Sequence, residues 1–467
     1  MNANTSELSP DEVFSIPVDG RWLLFSPRAW AFALVNRAAV KAVARYAVGD
    51  AAKSSDAIRG LWEYMSTPSA RYLSLNHEPE KLVIIPTRGC NMRCIYCDFA
   101  AKKPSSPTLD PRLACILFDH FVAKIGRPAS RILRVHFFGG EPLVARECVE
   151  AVIHYVRAAC ARLSAIPWFE VTTNGLFDST AVPLLGDYVD SLVVSLDGSA
   201  DLHDFNRRAL NGGGTFRSIA ANIERLGRFP VELTIRMCVT NRSVDGLEAI
   251  ASDLCSKFRL DILSFEMMNE NATAASAGLS EPDPYKFAVG VLRAERAALA
   301  HGVRVAHGPS ELVGPRNTSC PLGRGTLMLN PDGRLTACYL DPERWTAHGM
   351  DLLLGRVDLE SGVVVDQNKV NAIAASVKGK PRCLRCFCRY TCAGGCHVDQ
   401  TPPGCSPTYD DRCRAIRMLT AARLFRGLAG WDAAMALAEG KSSLQSVADF
   451  SDDRLTATAT QVQGRPL

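Results

Sequence analysis

The sequence lacks the features of a membrane or secreted protein. No stretch of about 18 uncharged apolar residues is present, so no transmembrane helix is predicted. The first residues, MNANTSELSPDEVF, contain no basic start followed by an apolar run, so no secretory signal is predicted either. We therefore expect a cytoplasmic protein that does not act at a membrane.

There is also no excess of charge of one sign. The 467 residues include 53 basic and 49 acidic side chains, which leaves a net charge of +4. Because so small a net charge creates no broad cationic field, nucleic acid is not an expected partner. The hydrophobic content of 47% and charged content of 22% are typical of globular proteins, which excludes general disorder. At roughly 150 residues per domain, the length indicates two or three domains.

Cysteine is missing from residues 1–89 but is dense further along the chain. Of the 17 cysteines, three form a trio at positions 90, 94 and 97, and nine lie between positions 320 and 413. In a reducing compartment, such dense thiols indicate metal ligands rather than disulfides. The remaining five are expected to be small buried hydrophobic residues: Cys115, Cys148, Cys160, Cys238 and Cys255.

Residues 1–80 are predicted to be a small separate unit. Two short apolar stretches, VFSIPVD and RWLLFSP, flank Asp19-Gly20 and predict a hairpin. Helical patterns follow in AFALVNRAAVKAVARYAV and over 56–65. The unit contains no residues typical of a catalytic site, so it is either a binding module or a structural cap.

Residues 81–301 alternate between strand-like and helix-like stretches, which predicts repeated βα units and a parallel sheet. Six strand-like runs are too few for a closed eight-stranded barrel, so an open, partial (β/α)6 barrel is expected. The predicted strands are KLVIIPT, ILRVHFF, FEVTT, VDSLVVSL, VELTIRMCV and DILSFEMM. A glycine-rich or polar motif follows each run, and such loops converge at the carboxyl ends of barrel strands.

Residues 302–440 form the cysteine-rich region, and 441–467 are predicted to be a disordered tail. VRVAH is a candidate last strand, and TLMLNPDGRLTACYL is predicted to be a hairpin that turns at Pro331-Asp332-Gly333. A helix is expected over about 414–439. The final residues are rich in Ser, Asp and Thr, which favours disorder.

The first cysteine trio supplies three thiolates from one short loop. A cubane iron–sulfur cluster takes four ligands, so Cys90, Cys94 and Cys97 would leave one iron open to another group. Zinc is the alternative, although a structural zinc site closes its shell with four ligands. The spacing CxxxCxxC after the first strand, with Tyr96 before the last cysteine, resembles the radical S-adenosylmethionine (SAM) enzymes.

This resemblance extends over residues 81–270 and implies SAM contacts. Gly139, Gly140 and Glu141 of GGEP would receive the SAM amino group, for which a carboxylate is a suitable acceptor. Arg207 resembles the arginine that holds the SAM carboxylate, since a guanidinium pairs with a carboxylate through two hydrogen bonds. The remaining implied contacts are Ser195 and Asp197 of SLDG, Thr173 and Asn174 in the cleft, and Asn269 near the adenine.

Seven of the late cysteines are similar in spacing to the SPASM extension of peptide-modifying radical SAM enzymes, which carries two auxiliary iron–sulfur clusters. The resemblance implies that one cluster is fully ligated by Cys383, Cys386, Cys392 and Cys413. Cys320, Cys338 and Cys396 would hold the other. Its fourth position would be vacant or filled by Cys388, Cys405, a carboxylate or the substrate. A zinc ribbon is the alternative, because CLRC is a familiar zinc half-site.

The family resemblance implies an oxidoreductase that generates a 5′-deoxyadenosyl radical, with no catalytic residue assigned beyond the clusters. GRWLLFSPRAWAFALVNRAAVKAV resembles the winged-helix-like peptide-recognition element of enzymes that mature ribosomally made peptides. The expected substrate is a precursor peptide with a leader sequence, and the expected product an intramolecular carbon–carbon or thioether crosslink. The expected reductant is a flavodoxin or ferredoxin.

Two other functions remain open. The first is a sulfatase-maturing enzyme that makes formylglycine; in that family an Asp follows the equivalent of Cys338, where this chain has Tyr339. The second is a non-catalytic iron–sulfur electron carrier or redox sensor, which would have no use for GGEP, Ser195 and Arg207.

Overall fold

The computed structural model describes residues 8–50, 54–69, 81–97, 99, 106–125, 132–318, 320–324, 326–376, 380–398, 409–450 and 452–457. Its strands are β1 (Phe14–Val18), β2 (Arg21–Ser26), β3 (Ala31–Val35), β4 (Lys81–Ile84), β5 (Met92–Cys94), β6 (Ile132–Phe137), β7 (Ile166–Thr173), β8 (Ser191–Ser195), β9 (Arg207–Ala209), β10 (Glu232–Val239), β11 (Ile262–Met267), β12 (Arg304–Ala306), β13 (Met328–Leu329), β14 (Arg334–Thr336), β15 (Leu353–Asp358) and β16 (Gly362–Val365). Its α-helices are α1 (Arg37–Ala47), α2 (Asp56–Ser66), α3 (Pro111–Ile125), α4 (Arg146–Leu163), α5 (Val182–Tyr188), α6 (Ala200–Asn206), α7 (Phe216–Leu226), α8 (Leu247–Lys257), α9 (Ala272–Ser276), α10 (Pro284–Leu299), α11 (Pro342–Thr346), α12 (Gln367–Ser376), α13 (Asp411–Glu439) and α14 (Lys441–Asp449).

The N-terminal unit begins with an antiparallel sheet in the order β1-β2-β3, followed by α1 and α2. The predicted hairpin is present, and both Asp19 (φ 48°) and Gly20 (φ 70°) adopt the left-handed conformation that a tight turn requires. The prediction that AFALV starts a helix was wrong, because these residues form β3 and pair with β2. The helix begins only at Arg37, after Asn36 accepts a hydrogen bond from the Ala39 amide at 2.8 Å.

The main sheet contains 11 strands in the order β12-β11-β10-β8-β7-β6-β4-β13-β14-β15-β16. The six strands predicted between residues 81 and 268 are β4, β6, β7, β8, β10 and β11, and each pairs in parallel with its neighbours. The candidate last strand is β12, which is parallel to β11. This arrangement confirms the predicted α/β class with a mostly parallel sheet.

The cysteine-rich region continues this sheet rather than standing apart from it. β13 pairs in parallel with β4, and the hairpin with β14 turns at Gly333 (φ 78°), as predicted. β15 and β16 extend the sheet in antiparallel fashion. Residues that follow β14 are therefore brought close to β4, the first strand of the parallel part of the sheet.

The prediction of a disordered tail from residue 441 was wrong for the part that the structure describes. Residues 441–449 form α14, whose Leu444, Val447 and Ala448 are buried. This apolar face packs mainly against α13 and also touches β1 and α10, so burial outweighs the polar composition of the segment. Residues 458–467 lie outside the described residues. No described helix combines the length and apolar character needed to cross a membrane.

Candidate functional site

The first cysteine trio follows β4: Cys90 lies on the loop before β5, Cys94 is the last residue of β5, and Cys97 comes three residues later. Cys90 and Cys94 are buried, and Cys97 is half-buried. β5 pairs with β9 in antiparallel fashion, which places Arg207 directly opposite Cys94. Burial raises the pKa of Cys90 to about 11 and that of Cys94 to about 12. These thiols would therefore be protonated unless a bound cation stabilises the thiolate, as a metal cluster does.

The GGEP motif packs backbone to backbone against this loop. The amide of Gly140 donates to the Thr87 carbonyl at 3.1 Å, and the amide of Glu141 donates to the Gly89 carbonyl at 2.9 Å. A Cβ atom on Gly140 would lie 2.2 Å from the Gly89 carbonyl oxygen. At Gly139 (φ 144°), it would lie 2.5 Å from the Thr87 oxygen. Both glycines are therefore required by close approach, a reason that the motif alone did not reveal.

Glu141 connects this turn to the loop after β7. Its buried carboxylate accepts hydrogen bonds from the Leu143 amide at 3.1 Å, the Thr173 hydroxyl at 2.8 Å and the Asn174 amide at 2.6 Å. Burial raises the pKa of Glu141 to about 7. Since a carboxylate has about four acceptor positions, about one is left for a further donor such as an ammonium group.

The loop after β7 also reaches the cysteine trio. The Asn174 side-chain amide donates to Asn91 at 2.8 Å and lies 3.5 Å from the Cys90 sulfur. The structure thus brings Thr173, Asn174, Glu141 and Cys90 together.

Asp197 organises the opposite side of the site. Its carboxylate accepts hydrogen bonds from the Tyr96 hydroxyl, from the Asn206 side chain at 3.1 Å and from the Cys238 amide at 3.1 Å. The Arg207 guanidinium lies 5.3 Å from the centre of the Tyr96 ring. Its Nε is 3.1 Å from Asp197 but makes no hydrogen bond there, because the geometry is unsuitable. A buried guanidinium beside the cysteine loop is suited to an anionic group.

The two remaining SAM-contact candidates lie at the same edge of the sheet. Ser195 is the last residue of β8 and is paired with Arg236 of β10. Asn269 follows two residues after β11 and is half-buried.

One face of the parallel sheet is unusually polar, and we call it the inner face. Strand register places side chains there from five neighbouring strands: His136, Glu170, Thr172, Ser195, Arg236, Cys238, Ser264 and Glu266. The opposite face of β10 is apolar and fully buried, as Leu233, Ile235 and Met237 show. Arg236 is exposed, so the inner face is accessible from solvent. The alternation of polar and apolar residues along these strands is the sequence signal from which the inner face could have been predicted.

Tyr339, which follows Cys338, contacts this inner face. Its hydroxyl lies 3.2 Å from Nδ1 of His136, whose Nε2 is 3.0 Å from the Thr172 hydroxyl and 3.4 Å from Glu170. Burial lowers the pKa of His136 to about 4, so the ring is neutral near pH 7. The sequence had identified neither His136 nor the position of Tyr339.

Five of the late cysteines line one cavity. The structure brings together the four cysteines predicted to share a cluster: Cys383, Cys386, Cys392 and Cys413. Cys388 lines the cavity too, although it was outside that predicted set. Two consecutive glycines, Gly394 (φ 92°) and Gly395 (φ 62°), turn the backbone beside the cavity.

The other predicted set consists of Cys320, Cys338 and Cys396, and it is located through pairwise proximities. Burial raises the pKa of Cys320 to about 12, and the nearby Cys396 thiol contributes to this increase. Burial together with Glu170, Cys320 and Cys338 raises the pKa of Tyr339, so the latter two thiols lie near Tyr339. Cys405 lies outside the described residues.

Within the described ranges, no group of three or more His, Cys, Asp or Glu side chains has the spacing of a ready-made metal-ion site.

Of the five scattered cysteines, Cys148, Cys160 and Cys255 are buried in the main core, as predicted. Cys115 is half-buried. Cys238 is also only partly buried, because it lies on the inner face rather than among the helices.

Comparison with known proteins agrees with this geometry. Residues 84–254 match the model of the radical SAM superfamily. The chain is 25% identical over 394 residues to the serine-type anaerobic sulfatase-maturating enzyme of Klebsiella aerogenes, covering 78% of this chain and 91% of the relative. It is 25% identical over 341 residues to the cysteine-type enzyme of Clostridium perfringens (strain 13 / Type A), covering 68% of this chain and 89% of the relative.

A similar fold occurs in the solved structure of native anSMEcpe with bound AdoMet and Cp18Cys peptide. The TM-score is 0.58 with 21% sequence identity, over 75% of this chain and 98% of that chain.

Proposed function

Because this chain is a radical SAM enzyme, with its radical SAM domain at residues 84–254, we propose that it modifies a ribosomally made precursor peptide by forming an intramolecular crosslink between side chains. The observation that carries the proposal is the convergence of the cysteine trio, GGEP, the Thr173-Asn174 loop and Arg207 beside an accessible polar face. When bound, the cluster and SAM supply a 5′-deoxyadenosyl radical that abstracts a hydrogen atom.

The residues of the site fit these cofactors. Three thiols on one loop would hold the cluster and leave one iron for SAM. Arg207 is buried opposite Cys94, and its guanidinium is proposed to hold the SAM carboxylate. Glu141 retains about one acceptor position for the SAM amino group. Ser195, Asp197 and Asn269 are proposed to contact the remaining parts of SAM.

Clusters held by the auxiliary cysteines would supply the reaction with an oxidant within the protein. Closing a crosslink removes two hydrogens from the peptide, one as an atom and one as a proton, and leaves one electron. We assign Cys383, Cys386, Cys392 and Cys413 to one auxiliary cluster and Cys320, Cys338 and Cys396 to the other, and these clusters would accept that electron. A flavodoxin or ferredoxin is the proposed external electron donor.

The N-terminal unit supports a peptide substrate. Residues 453–455 already cover the edge of its sheet at β1, through bonds from the Ser15 amide to the Asp453 carbonyl and from the Leu455 amide to Val13. β3, at the other edge, pairs with no further strand among the described residues. A leader peptide would therefore add as a strand beside β3.

Formylglycine formation is the second candidate, and the names of the relatives favour it. The residue that follows Cys338 argues against it. Tyr339 stands where that family has its Asp base, and its hydroxyl faces His136 at 3.2 Å. Asp341 instead precedes α11, near Arg88.

Mass spectrometry of the product separates these candidates. Reconstituted enzyme, SAM and a reductant would be incubated under anaerobic conditions with the peptide encoded by a short open reading frame beside the gene. We expect the loss of two hydrogens per crosslink and no reaction with an aldehyde-specific hydrazide. A hydrazide-reactive product from a sulfatase-derived peptide would support the second candidate instead.

Two variants test whether the first cysteine trio is needed for SAM cleavage and the late cysteines for the peptide product. Cys94→Ala should abolish SAM cleavage, whereas Cys383→Ala should retain some cleavage but lose the peptide product. Absence of SAM cleavage by wild-type protein with a full complement of iron and sulfide would leave only the electron-carrier interpretation. Equal loss of both activities in Cys383→Ala would show that the late cysteines serve folding rather than electron transfer.

A further inference from the structure

Three arginines line the cavity of the late cysteines, and one of them, Arg417, belongs to an ion pair in which both side chains are fully buried. Arg417 lies on α13 and is buried together with Asp453, with side-chain exposures of 1% and 0%. Its Nη1 lies 3.2 Å from the sulfur of Cys386. Burying an ion pair is costly, so such a pair beside a thiol suggests a role beyond stability.

The hydrogen bonds of Arg417 fix the direction of this N–H group. Nη1 donates to Asp453 at 2.6 Å, and its second hydrogen is directed to Cys386. Nη2 donates to Asp453 at 3.0 Å, Val447 at 2.7 Å and Phe450 at 2.8 Å, while Nε donates to Val447 at 3.2 Å. With these partners in place, the guanidinium cannot turn away from the sulfur without losing other bonds.

Asp453 is itself held from two directions. Its carboxylate accepts from the Phe387 amide at 3.0 Å, and its own amide donates to the Arg385 carbonyl at 2.9 Å. Its carbonyl accepts from the Ser15 amide of β1 at 2.7 Å. The support for Arg417 therefore comes from the C-terminal segment and from the loop that carries Cys383 and Cys386.

We propose that Arg417 raises the reduction potential of the auxiliary cluster held by Cys383, Cys386, Cys392 and Cys413 by donating a hydrogen bond to the Cys386 sulfur. The inference rests on the proposed function, because it requires that cluster. Reduction adds negative charge to the iron and sulfur atoms, and a donor to a ligand sulfur stabilises that charge. Asp453 forms a buried ion pair with the same guanidinium, so the contribution of Arg417 at the Cys386 sulfur is its directed N–H group.

A higher potential suits an electron acceptor. The cluster would take the electron left by the closing crosslink more readily. Arg417 is thus a positioning and tuning residue that acts through Cys386 and does not touch the substrate.

Potentiometric titration monitored by electron paramagnetic resonance tests this role. The background would be full-length protein with Cys90, Cys94 and Cys97 replaced by alanine, so that only the auxiliary clusters give signals. The first variant is the pair Arg417→Gln with Asp453→Asn, which preserves the net charge of the couple. The second is Arg417→Lys, which keeps the positive charge but lacks the planar fork. Arg423→Gln is the matched control, since Arg423 is a buried arginine of α13 that pairs with Glu295 and Glu311.

We expect one of the two auxiliary signals to move to lower potential in both Arg417 variants. The expected shift is a tenfold change in the one-electron equilibrium, or about 59 mV. The other signal and the Arg423→Gln protein should match the background.

Three results would overturn the proposal. These are unchanged potentials in variants with full iron content, an equal shift of both signals, or loss of the cluster from every Arg417 variant, which would make Arg417 a folding residue. If the background protein itself assembles no auxiliary cluster, the proposed function fails at the assigned ligands, which is a different outcome.

Discussion

Replacing Gly140 with alanine tests whether the GGEP motif sets the position of the cysteine loop. The added Cβ would lie 2.2 Å from the Gly89 carbonyl oxygen and 2.5 Å from that of Arg88, whereas ordinary contacts begin near 3.4 Å. Because both neighbours are backbone atoms, relief requires the two loops to separate by about 1 Å, a displacement that can cost roughly 100-fold in rate. Overpacking of this kind also costs about 1–3 kcal/mol of stability.

We therefore expect Gly140→Ala to retain iron and sulfide at its three cysteines while forming 5′-deoxyadenosine about 100-fold more slowly. The assay is chromatographic quantification of 5′-deoxyadenosine, normalised to cluster content. Gly60→Ala is the control, since no atom lies within 4 Å of the added Cβ and alanine is favoured in the helix. A Gly140→Ala enzyme that cleaves SAM within a few-fold of the wild-type rate would refute the reasoning.

Two further predictions concern stability. Leu444→Ala should lower the free energy of unfolding by about 2–5 kcal/mol, because Leu444 is fully buried in α14, whereas the exposed neighbour Gln445→Ala should change it little; chemical denaturation measures both. His307 is buried beside Phe287, and burial, reinforced by Arg423, lowers its pKa from 6.5 to about 3. The unfolded chain binds the proton more readily, so stability should fall as the pH decreases from 6.5 towards 3. His307→Asn should lose less stability over this interval, and an unchanged slope would contradict the assignment.

The parallel sheet could be predicted because its signals are local. Each of the six strands is a short apolar run followed by a polar or glycine-rich motif, and parallel pairing brings these motifs to one edge. That geometry explains why Cys90, Glu141 and Asn174, which are distant in sequence, meet in the structure. Motif order along the chain was sufficient for this part of the site.

The errors occurred where tertiary contacts outweigh local preference. AFALV has residues that suit a helix, but the edge of β2 offers it five paired positions in a sheet. The segment 441–449 is polar in composition, yet three small or apolar side chains find a surface on α13. Neither partner surface can be recognised from the segment alone.

The side chains that meet at the inner face and at Arg417 are brought together by long-range contacts, which cannot be predicted from the local sequence. Tyr339 reaches His136, 203 positions earlier, only because β13 joins β4 and carries the following residues to the parallel strands. Likewise, Asp453 reaches Arg417 only because α14 folds back along α13. In both cases a residue that looks incidental in the sequence acquires a partner beside a predicted cluster ligand. The spacing of the cysteines can therefore be read from the sequence, whereas the partners that surround the proposed cluster ligands emerge only from the fold.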